Sequence, residues 1–283
     1  MSLSMGSFFA LWFRRYFCLV LLIVTIPLPS LSLAETRECK TLRATGNPEY
    51  PPYLFRESED NMKLVGANAE IMQLIAEKIG AEIDVSYTGP WSRAQKEVRD
   101  GRFDLLAGAF FTVPRAQYMD YVYPSFLTTK SVVWVNKEKP FDYKKREDLI
   151  GHTGATVIHN SFGEEFDEFA KASLDLNGVA SLRQAFDMLV LGRVDYLLYE
   201  NSPAQAYSRT WGVSDKVAVL GDGISAEGLY LTLSHSSSCN TGALRGKLTK
   251  ALREIVESGQ AEKALQKGLA LWQKIHPQGD SLE

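Results

Sequence analysis

The residues most suggestive of chemistry follow a short apolar run near the middle of the chain. Leu105-Leu106-Ala107 leads into Gly108, and such a run ended by glycine is typical of a buried parallel strand. Thr112 then stands where a helix N-cap would be, with Pro114 and Arg115 in the first turn. A strand end that faces helix N–H groups and a guanidinium suits an anionic group. We therefore predict an anion at Arg115; the alternative is a surface arginine in a salt bridge.

No other motif indicates catalysis or a cofactor. The four histidines show no metal-ligand spacing, and they are His152, His159, His235 and His276. The segment 159–163 resembles a nucleophile elbow that lacks its first glycine, which favours a helix cap at Ser161. The segment 242–247 is one residue short of a phosphate loop. We predict neither a metal nor a cofactor.

The elements around Arg115 alternate between strands and helices, which predicts an α/β fold. Asn68 is predicted to cap a helix that Gly80 ends. Three further helices are predicted from capping boxes, at Ser92 with Gln95, Ser161 with Glu164, and Ser181 with Gln184. The predicted strands include 42–45, 83–87, 105–107, 131–135, 154–158 and 229–233.

One segment recurs within the chain. Gly101-Arg102-Phe103-Asp104-Leu105-Leu106 is matched by Gly192-Arg193-Val194-Asp195-Tyr196-Leu197-Leu198, and each copy joins a predicted helix to an apolar strand. This repeat predicts two similar βαβ lobes. The alternative is chance, since a glycine turn of this kind commonly ends a helix.

The first 34 residues have the pattern of a secretory signal. Arg14 and Arg15 precede an apolar core, and small residues lead to a cleavage site after Ala34. We predict an exported, periplasmic protein of 249 residues; the alternative is an uncleaved anchor. Removing the two arginines changes the net charge from −3 to −5, and this mild acidity gives no support for a nucleic-acid partner.

Only two cysteines remain after the predicted cleavage, Cys39 and Cys239. An exported protein with two cysteines is expected to pair them, which would bring the two ends of the chain together. The alternative is two unpaired thiols.

The order and spacing of several segments resemble the periplasmic solute-binding proteins of the polar amino acid type, which serve ABC importers. The resemblance covers nearly all of residues 35–274. The segments that carry it are Tyr50-Pro51-Pro52-Tyr53, Gly66–Glu70, Gly101–Asp104, Gly108 to Arg115 with Thr112, Asp120-Tyr121, Pro124, Asp148–Gly151, Asn160–Gly163, Gly192–Asp195 and Glu200.

This resemblance implies a two-lobed, Venus-flytrap fold with a ligand cleft and a hinge of two strands. Residues 35–128 and 226–283 would form the first lobe, and residues 129–225 the inserted second lobe. The protein is expected to be a monomer.

The resemblance also implies roles for particular residues. The arginine matching Arg115 grips the ligand carboxylate, the turn matching Asn160-Ser161 adds donors, and the acid matching Glu200 binds the ammonium. Tyr50 and Trp91 match aromatic positions of the cleft, where each could instead belong to the core. Two residues depart from the family pattern. Phe110 replaces a hydroxyl two residues after Gly108, so one hydrogen bond to the carboxylate is expected to be lost and the pocket to be more apolar. Glu200 replaces an aspartate, so the ammonium is expected to sit deeper or to be replaced by another cation.

The implied function is binding, without catalysis, of a small zwitterion such as an amino acid, for transfer to the membrane permease of an ABC importer. Two alternatives stay open. One is a periplasmic dehydratase for carboxylated cyclohexadienyl compounds on the same scaffold, with Glu200 as general acid. The other is the ligand-sensing partner of a signalling receptor.

Overall fold

The computed structural model describes residues 39–277. The predicted signal segment 1–34 and its cleavage after Ala34 lie outside this range. Within the described range, no helix has both the length and the apolar character needed to cross a membrane.

The described chain alternates strands and helices. Its strands are β1 (Thr41–Thr45), β2 (Glu49–Tyr50), β3 (Leu54–Arg56), β4 (Leu64–Val65), β5 (Glu82–Val85), β6 (Leu105–Ala109), β7 (Met119–Asn136), β8 (Thr153–Val157), β9 (Asp175–Val179), β10 (Tyr196–Glu200) and β11 (Val217–Ser234). Its α-helices are α1 (Ala67–Ile79), α2 (Trp91–Arg99), α3 (Val113–Ala116), α4 (Glu164–Ser173), α5 (Leu182–Val190), α6 (Asn201–Thr210), α7 (Gly242–Glu257) and α8 (Gln260–Ile275). A 3₁₀ helix spans Arg146–Leu149.

Two long antiparallel strands, β7 and β11, run through the whole main sheet. The strand order is β5-β1-β6-β11-β7-β10-β8-β9, and a smaller sheet has the order β2-β3-β4. One end of the β7–β11 ribbon carries β6 along β11, and its other end carries β10 along β7. The neighbouring pairs β1–β5, β1–β6, β10–β8 and β8–β9 are parallel. The predicted α/β class is confirmed, with two half-sheets that share two long strands.

The sequence predicts only parts of these long strands, at 131–135 and 229–233. Each strand has 18 residues, and their register shifts between Leu220 and Ser225 and again between Leu229 and Leu231. Such shifts interrupt the period-2 pattern on which strand prediction depends. The predicted lobe limits at 128/129 and 225/226 fall inside the ribbon, where Thr129 pairs with Glu227, and they stay a prediction.

Apolar helix faces build the core on these half-sheets. Ile71 and Ile75 of α1 pack in the same buried cluster as Leu42 of β1. In the other half, Phe186 of α5 and Leu197 of β10 belong to that cluster as well. The helix faces thus fix the strand ends against which the cavity described below is built.

The recurring glycine segment has the same structural role in both halves. After α2, Asp104 donates its backbone N–H to the Arg43 carbonyl, and its carboxylate accepts the Arg43 N–H at 2.8 Å. After α5, Asp195 donates to the Thr153 carbonyl and its carboxylate accepts the Thr153 N–H, also at 2.8 Å. Each aspartate therefore clamps the backbone of the neighbouring parallel strand, in the middle of β1 and at the start of β8. The two matching segments thus have the same structural role.

The helix starts agree only in part with the predicted caps. Thr112 and Ser181 accept N–H groups from Arg115 and Gln184, as predicted. The predicted caps at Asn68 and Ser92 are wrong, because Gly66 and Pro90 hold the N-cap positions of α1 and α2. Asn68 lies instead inside α1, where it is buried.

The predicted disulfide between Cys39 and Cys239 is confirmed. The two Cα atoms lie 5.7 Å apart, and the bond joins residues separated by 200 positions. It ties the segment before β1 to the segment before α7. The beginning of the described chain is therefore tied to the start of its C-terminal helical segment.

Candidate functional site

A cavity lies where the ends of β6 and β10 approach the β7–β11 ribbon. It contains about 340 Å³ of space between atoms, part of it continuous with solvent. Its lining residues are Asn47, Tyr50, Leu54, Asn68, Trp91, Ala107, Gly108, Ala109, Phe110, Arg115, Asn160, Glu200 and Leu229. Seven of the eight predicted site residues are therefore brought together, and Ser161 is not among them.

Arg115 is buried at this cavity and donates three hydrogen bonds to protein acceptors. Its Nε donates to Gln95 Oε1 at 3.2 Å, its Nη1 to the Phe110 carbonyl at 3.1 Å, and its Nη2 to the His159 carbonyl at 3.1 Å. The guanidinium carbon lies 5.3 Å from the centre of the Trp91 ring. These bonds use three of the five guanidinium N–H donors. The guanidinium is thus held rigidly, with donors left for a further acceptor.

The His159 carbonyl is an acceptor that sequence reasoning missed. Besides Arg115, it accepts Trp91 Nε1 at 3.2 Å and Gln95 Nε2 at 3.3 Å. His159 has a left-handed backbone with φ of 61°, which is uncommon for a residue other than glycine. A main-chain acceptor leaves no mark on residue type, so only the fold reveals this contact between the two half-sheets.

Glu200 ends β10 and is buried at the opposite half-sheet from Arg115, with 1% of its surface exposed. The Asn160 amide nitrogen lies 3.4 and 3.5 Å from its two carboxylate oxygens. Burial raises the pKa of Glu200 to about 7, against the opposing effects of hydrogen bonds and of the Arg115 charge. Within residues 39–277, no basic side chain forms an ion pair with this carboxylate. A ligand cation there would stabilise the charged form.

Aromatic side chains form much of the remaining wall. Tyr50 lies 5.1 Å from Tyr53 and 6.5 Å from Tyr199 between ring centres, and burial and the Glu200 charge raise its pKa well above its ordinary value. Phe110 is buried at the cavity, whereas its neighbour Phe111 is 38% exposed. Only one of the two phenylalanines therefore borders the cavity, as strand alternation predicts.

Ser161 lies beside the cavity with its hydroxyl engaged elsewhere. It donates to the Asp167 carboxylate, which also accepts the Phe162 N–H at 2.8 Å. The predicted capping box with Glu164 is wrong, because α4 begins at Glu164 with Gly163 as its N-cap. The positive φ of 93° at Gly163 explains why glycine holds this position.

Asn68 and Asn47 are lining residues that the sequence analysis did not place in the site. Asn68 Nδ2 donates to the Ala107 carbonyl at 2.6 Å. Gly108 has φ of 116°, and a Cβ there would lie 2.5 Å from the same nitrogen. The sequence feature that could have placed Asn68 in the site is its position on the apolar face of α1, three residues before Ile71.

Two further hydrogen bonds join the two half-sheets. The Val113 N–H donates to Glu164 Oε2 at 2.9 Å, and the Leu182 N–H donates to Glu49 Oε2 at 3.1 Å. Burial raises the pKa of Glu49.

In the described part of the chain, no three His, Cys, Asp or Glu side chains are grouped as metal ligands. The site is a largely apolar and aromatic cavity with one cation, Arg115, and one carboxylate, Glu200, in its walls.

Comparison with known proteins gives a consistent result. Residues 42–269 match the family described as bacterial extracellular solute-binding proteins, family 3. The L-cystine-binding protein TcyA of Bacillus subtilis (strain 168) is 26% identical over 218 residues, or 77% of this chain and 77% of that protein.

Solved structures show the same fold. The amino acid ABC transporter substrate-binding protein AbpA from Streptococcus pneumoniae Canada MDR_19A, bound to L-arginine, superposes with a TM-score of 0.68 at 19% identity, covering 82% of this chain and 96% of that one. A histidine kinase sensor domain with similarity to periplasmic binding proteins gives 0.69 at 22% identity, again covering 82% and 96%.

Proposed function

This chain belongs to the bacterial extracellular solute-binding proteins of family 3, and we propose that it binds an amino acid as a zwitterion between its half-sheets. The resemblance predicted from the sequence is confirmed by the family match over residues 42–269. Members of this family are solute-binding proteins, so we assign binding and not turnover, and the dehydratase alternative has no support.

The observation that carries this proposal is the pairing of opposite charges across one cavity. Arg115 comes from the helix after β6, and Glu200 comes from the end of β10 in the other half-sheet. The remaining N–H donors of Arg115 suit an α-carboxylate, because a planar guanidinium makes charge-assisted hydrogen bonds to it. The buried carboxylate of Glu200 suits an α-ammonium, whose burial without a partner would be costly. A zwitterion satisfies both groups at once.

Binding of this kind favours closure of the two lobes. A ligand held by Arg115 and Glu200 together makes its full set of contacts only when the half-sheets are close. The β7–β11 ribbon is the connection about which such a motion would occur, as in hinge closure of two-domain binding proteins. We assign the hinge to the ribbon near the pair Thr129 and Glu227.

The names of the relatives suggest a role in transport for the bound ligand. TcyA is an L-cystine-binding protein, and AbpA belongs to an amino acid ABC transporter. We propose that this chain acts as a periplasmic monomer that delivers its ligand to the permease of an ABC importer. A sensing role would share the binding step, and would differ in leaving uptake unchanged when the gene is deleted.

Thermal melting of residues 35–283 across a panel of amino acids tests the proposal. A ligand that binds only the folded state at a hundred times its Kd stabilises it by about 2.7 kcal/mol. We expect a chemically related group of amino acids to raise the melting temperature of the wild type, and Arg115→Ala to lose that increase.

The control for this experiment is Arg253→Ala, since Arg253 lies on the exposed side of α7 in an ion pair with Glu257. It should keep the full response. A wild type that responds to no amino acid would refute the proposal, as would an Arg115→Ala protein that responds like the wild type.

A further inference from the structure

Asn68 combines deep burial with an amide oxygen that has no partner. It is 1% exposed and borders the cavity. Its Nδ2 donates to the Ala107 carbonyl at 2.6 Å, and this bond fixes the orientation of the amide, because a carbonyl only accepts. Within residues 39–277 no donor reaches Asn68 Oδ1, although this atom is buried.

An unpartnered buried amide oxygen is unusual in a folded protein, where nearly all such atoms accept a hydrogen bond. The neighbouring positions on the same face of α1 hold Ile71 and Ile75, which are fully buried apolar side chains. An apolar residue at position 68 would continue that face without an unsatisfied acceptor. The bond to the Ala107 carbonyl accounts for the amide nitrogen, so the oxygen is the part of this side chain that the packing of α1 against β6 leaves unexplained.

The neighbouring backbone leaves room for this amide. Gly108 has φ of 116°, and a Cβ at that position would lie 2.5 Å from Asn68 Nδ2 and 3.4 Å from Phe126 Cζ. Any side chain at position 108 would displace the amide. Gly108 and Asn68 both border the cavity, so together they form one polar section of its wall.

Asn47, another of the amides that line the cavity, gives a contrast with Asn68. Asn47 Nδ2 donates to the Tyr199 hydroxyl at 3.2 Å, and Asn47 Oδ1 accepts the Glu49 N–H at 3.0 Å. Both ends of that amide are used by the protein. The amide of Asn47 is therefore structural, whereas the amide oxygen of Asn68 has no donor within the described residues.

We propose that Asn68 is a specificity-determining residue whose Oδ1 accepts a hydrogen bond from a donor on the ligand side chain. This inference rests on the proposed function, in which Arg115 takes the α-carboxylate and Glu200 takes the α-ammonium. The neutral acceptor of Asn68 is then a third point of recognition, in a cavity whose lining also includes apolar groups such as Leu54 and Leu229. Side chains with an amide, hydroxyl or guanidinium satisfy it, and aliphatic side chains of equal length leave it unpaired.

Calorimetric titration with matched ligand pairs tests this role. Glutamine is compared with methionine, and arginine with norleucine, on the wild type, Asn68→Leu and Asn47→Leu. We expect the wild type to prefer the donor-bearing member of at least one pair by tenfold or more. Asn68→Leu should lose that preference while its affinity for the donor-free member changes by less than threefold. Asn47→Leu should change both members of a pair by the same factor.

A second variant keeps the test decisive if Asn68→Leu does not fold. Asn68→Asp loses the donor to the Ala107 carbonyl but retains an acceptor and adds charge, so it should favour arginine over glutamine by at least tenfold more than the wild type does. Equal losses for both members of each pair in Asn68→Leu, or an Asn68→Asp protein with unchanged preference, would overturn the role of Asn68 and leave the proposed function intact. A wild type that binds no amino acid would overturn both.

Discussion

At the scale of single residues, Glu200 places binding and stability in opposition. A carboxyl group with an ordinary pKa of 4.5 is raised to about 7 by burial, so its charged form is disfavoured in the folded protein. The same desolvation strengthens its attraction to a ligand cation, because charges interact more strongly in a medium of low dielectric constant. The site therefore gives up stability at neutral pH in exchange for ligand binding.

This opposition predicts a pH-dependent effect of Glu200→Gln on the free energy of unfolding. The folded pKa lies above the unfolded value, so the wild type loses stability as pH rises from about 4.5 to about 7 and no further above that. A difference of about 2.5 pKa units corresponds to a loss of roughly 3 to 4 kcal/mol. Glu200→Gln should match the wild type near pH 4.5 and be more stable at pH 8, as measured by urea unfolding.

Glu82→Gln is the matched control, because Glu82 is an exposed acid of β5. Glu82 does not border the cavity, so Glu82→Gln should not reproduce the gain in stability of Glu200→Gln at pH 8. A Glu200→Gln protein whose advantage over the wild type is the same at pH 5 and pH 8 would contradict the account of this carboxyl.

Ligand affinity should also depend on the ionisation of Glu200, and it should rise with pH where the stability of the unliganded protein falls. An ammonium needs the ionised carboxylate, so binding below pH 7 must first remove a proton from Glu200. We expect the association constant for the preferred amino acid to rise about tenfold per pH unit up to about pH 7 and then to level off. Calorimetry at pH 5, 6, 7 and 8 measures this. Affinity that is constant over this range would contradict an ammonium at Glu200.

Some residues of the site could be predicted because their signals are local. Arg115 follows a cap residue and a proline in the first turn, and Glu200 ends an apolar strand. Asn68 was misplaced as a cap, because the glycine before α1 takes that position and only packing shows which helix face meets β6. The contact at His159 could not be predicted from residue type, since it is made by a carbonyl.

At the scale of elements, Asp104 and Asp195 make equivalent hydrogen bonds in the two half-sheets, but they differ in burial. Asp104 is buried and also accepts the Ser237 hydroxyl at 2.6 Å, whereas the side chain of Asp195 is 54% exposed. We expect Asp104→Ala to lower the free energy of unfolding by about 2–3 kcal/mol and Asp195→Ala by about 1 kcal/mol or less. Urea unfolding of the two variants measures the difference. Equal losses would mean that burial does not set the strength of the clamp.

Helix starts were predicted correctly where the cap residue immediately precedes the helix. Thr112 and Ser181 satisfy this condition. Ser161 does not, because Asp167 binds its hydroxyl and Gly163 supplies the turn. A capping-box pattern indicates a helix start nearby, and tertiary contacts then decide which residue becomes the cap.

At the scale of the whole molecule, one covalent link and two strands define the architecture. Since β7 and β11 continue through both half-sheets, the sequence pattern of short strands suggested the α/β class without revealing their full length. Glycine and proline within these strands, together with the register shifts, hide them from pattern analysis. The resemblance to a family supplied what the local pattern lacked.

The disulfide should stabilise the molecule without shaping the site. Closing a loop of about 200 residues contributes up to roughly 5 kcal/mol in the chain-entropy account. Neither cysteine borders the cavity. We expect a Cys39→Ser and Cys239→Ser double variant to unfold at lower urea concentration and to bind its amino acid within threefold of the wild type. A large loss of affinity in a folded double variant would contradict this separation.

The central claim is that Arg115 binds the carboxylate of a zwitterion, and a titration with two ligands tests it most directly. The amino acid that stabilises the wild type is compared with the amine that lacks only its carboxylate, on the wild type and on Arg115→Ala. We predict that the wild type prefers the amino acid by at least tenfold, and that Arg115→Ala loses most of that preference because its partner is gone. Equal affinity of the wild type for both ligands, or an undiminished preference in Arg115→Ala, would contradict the account.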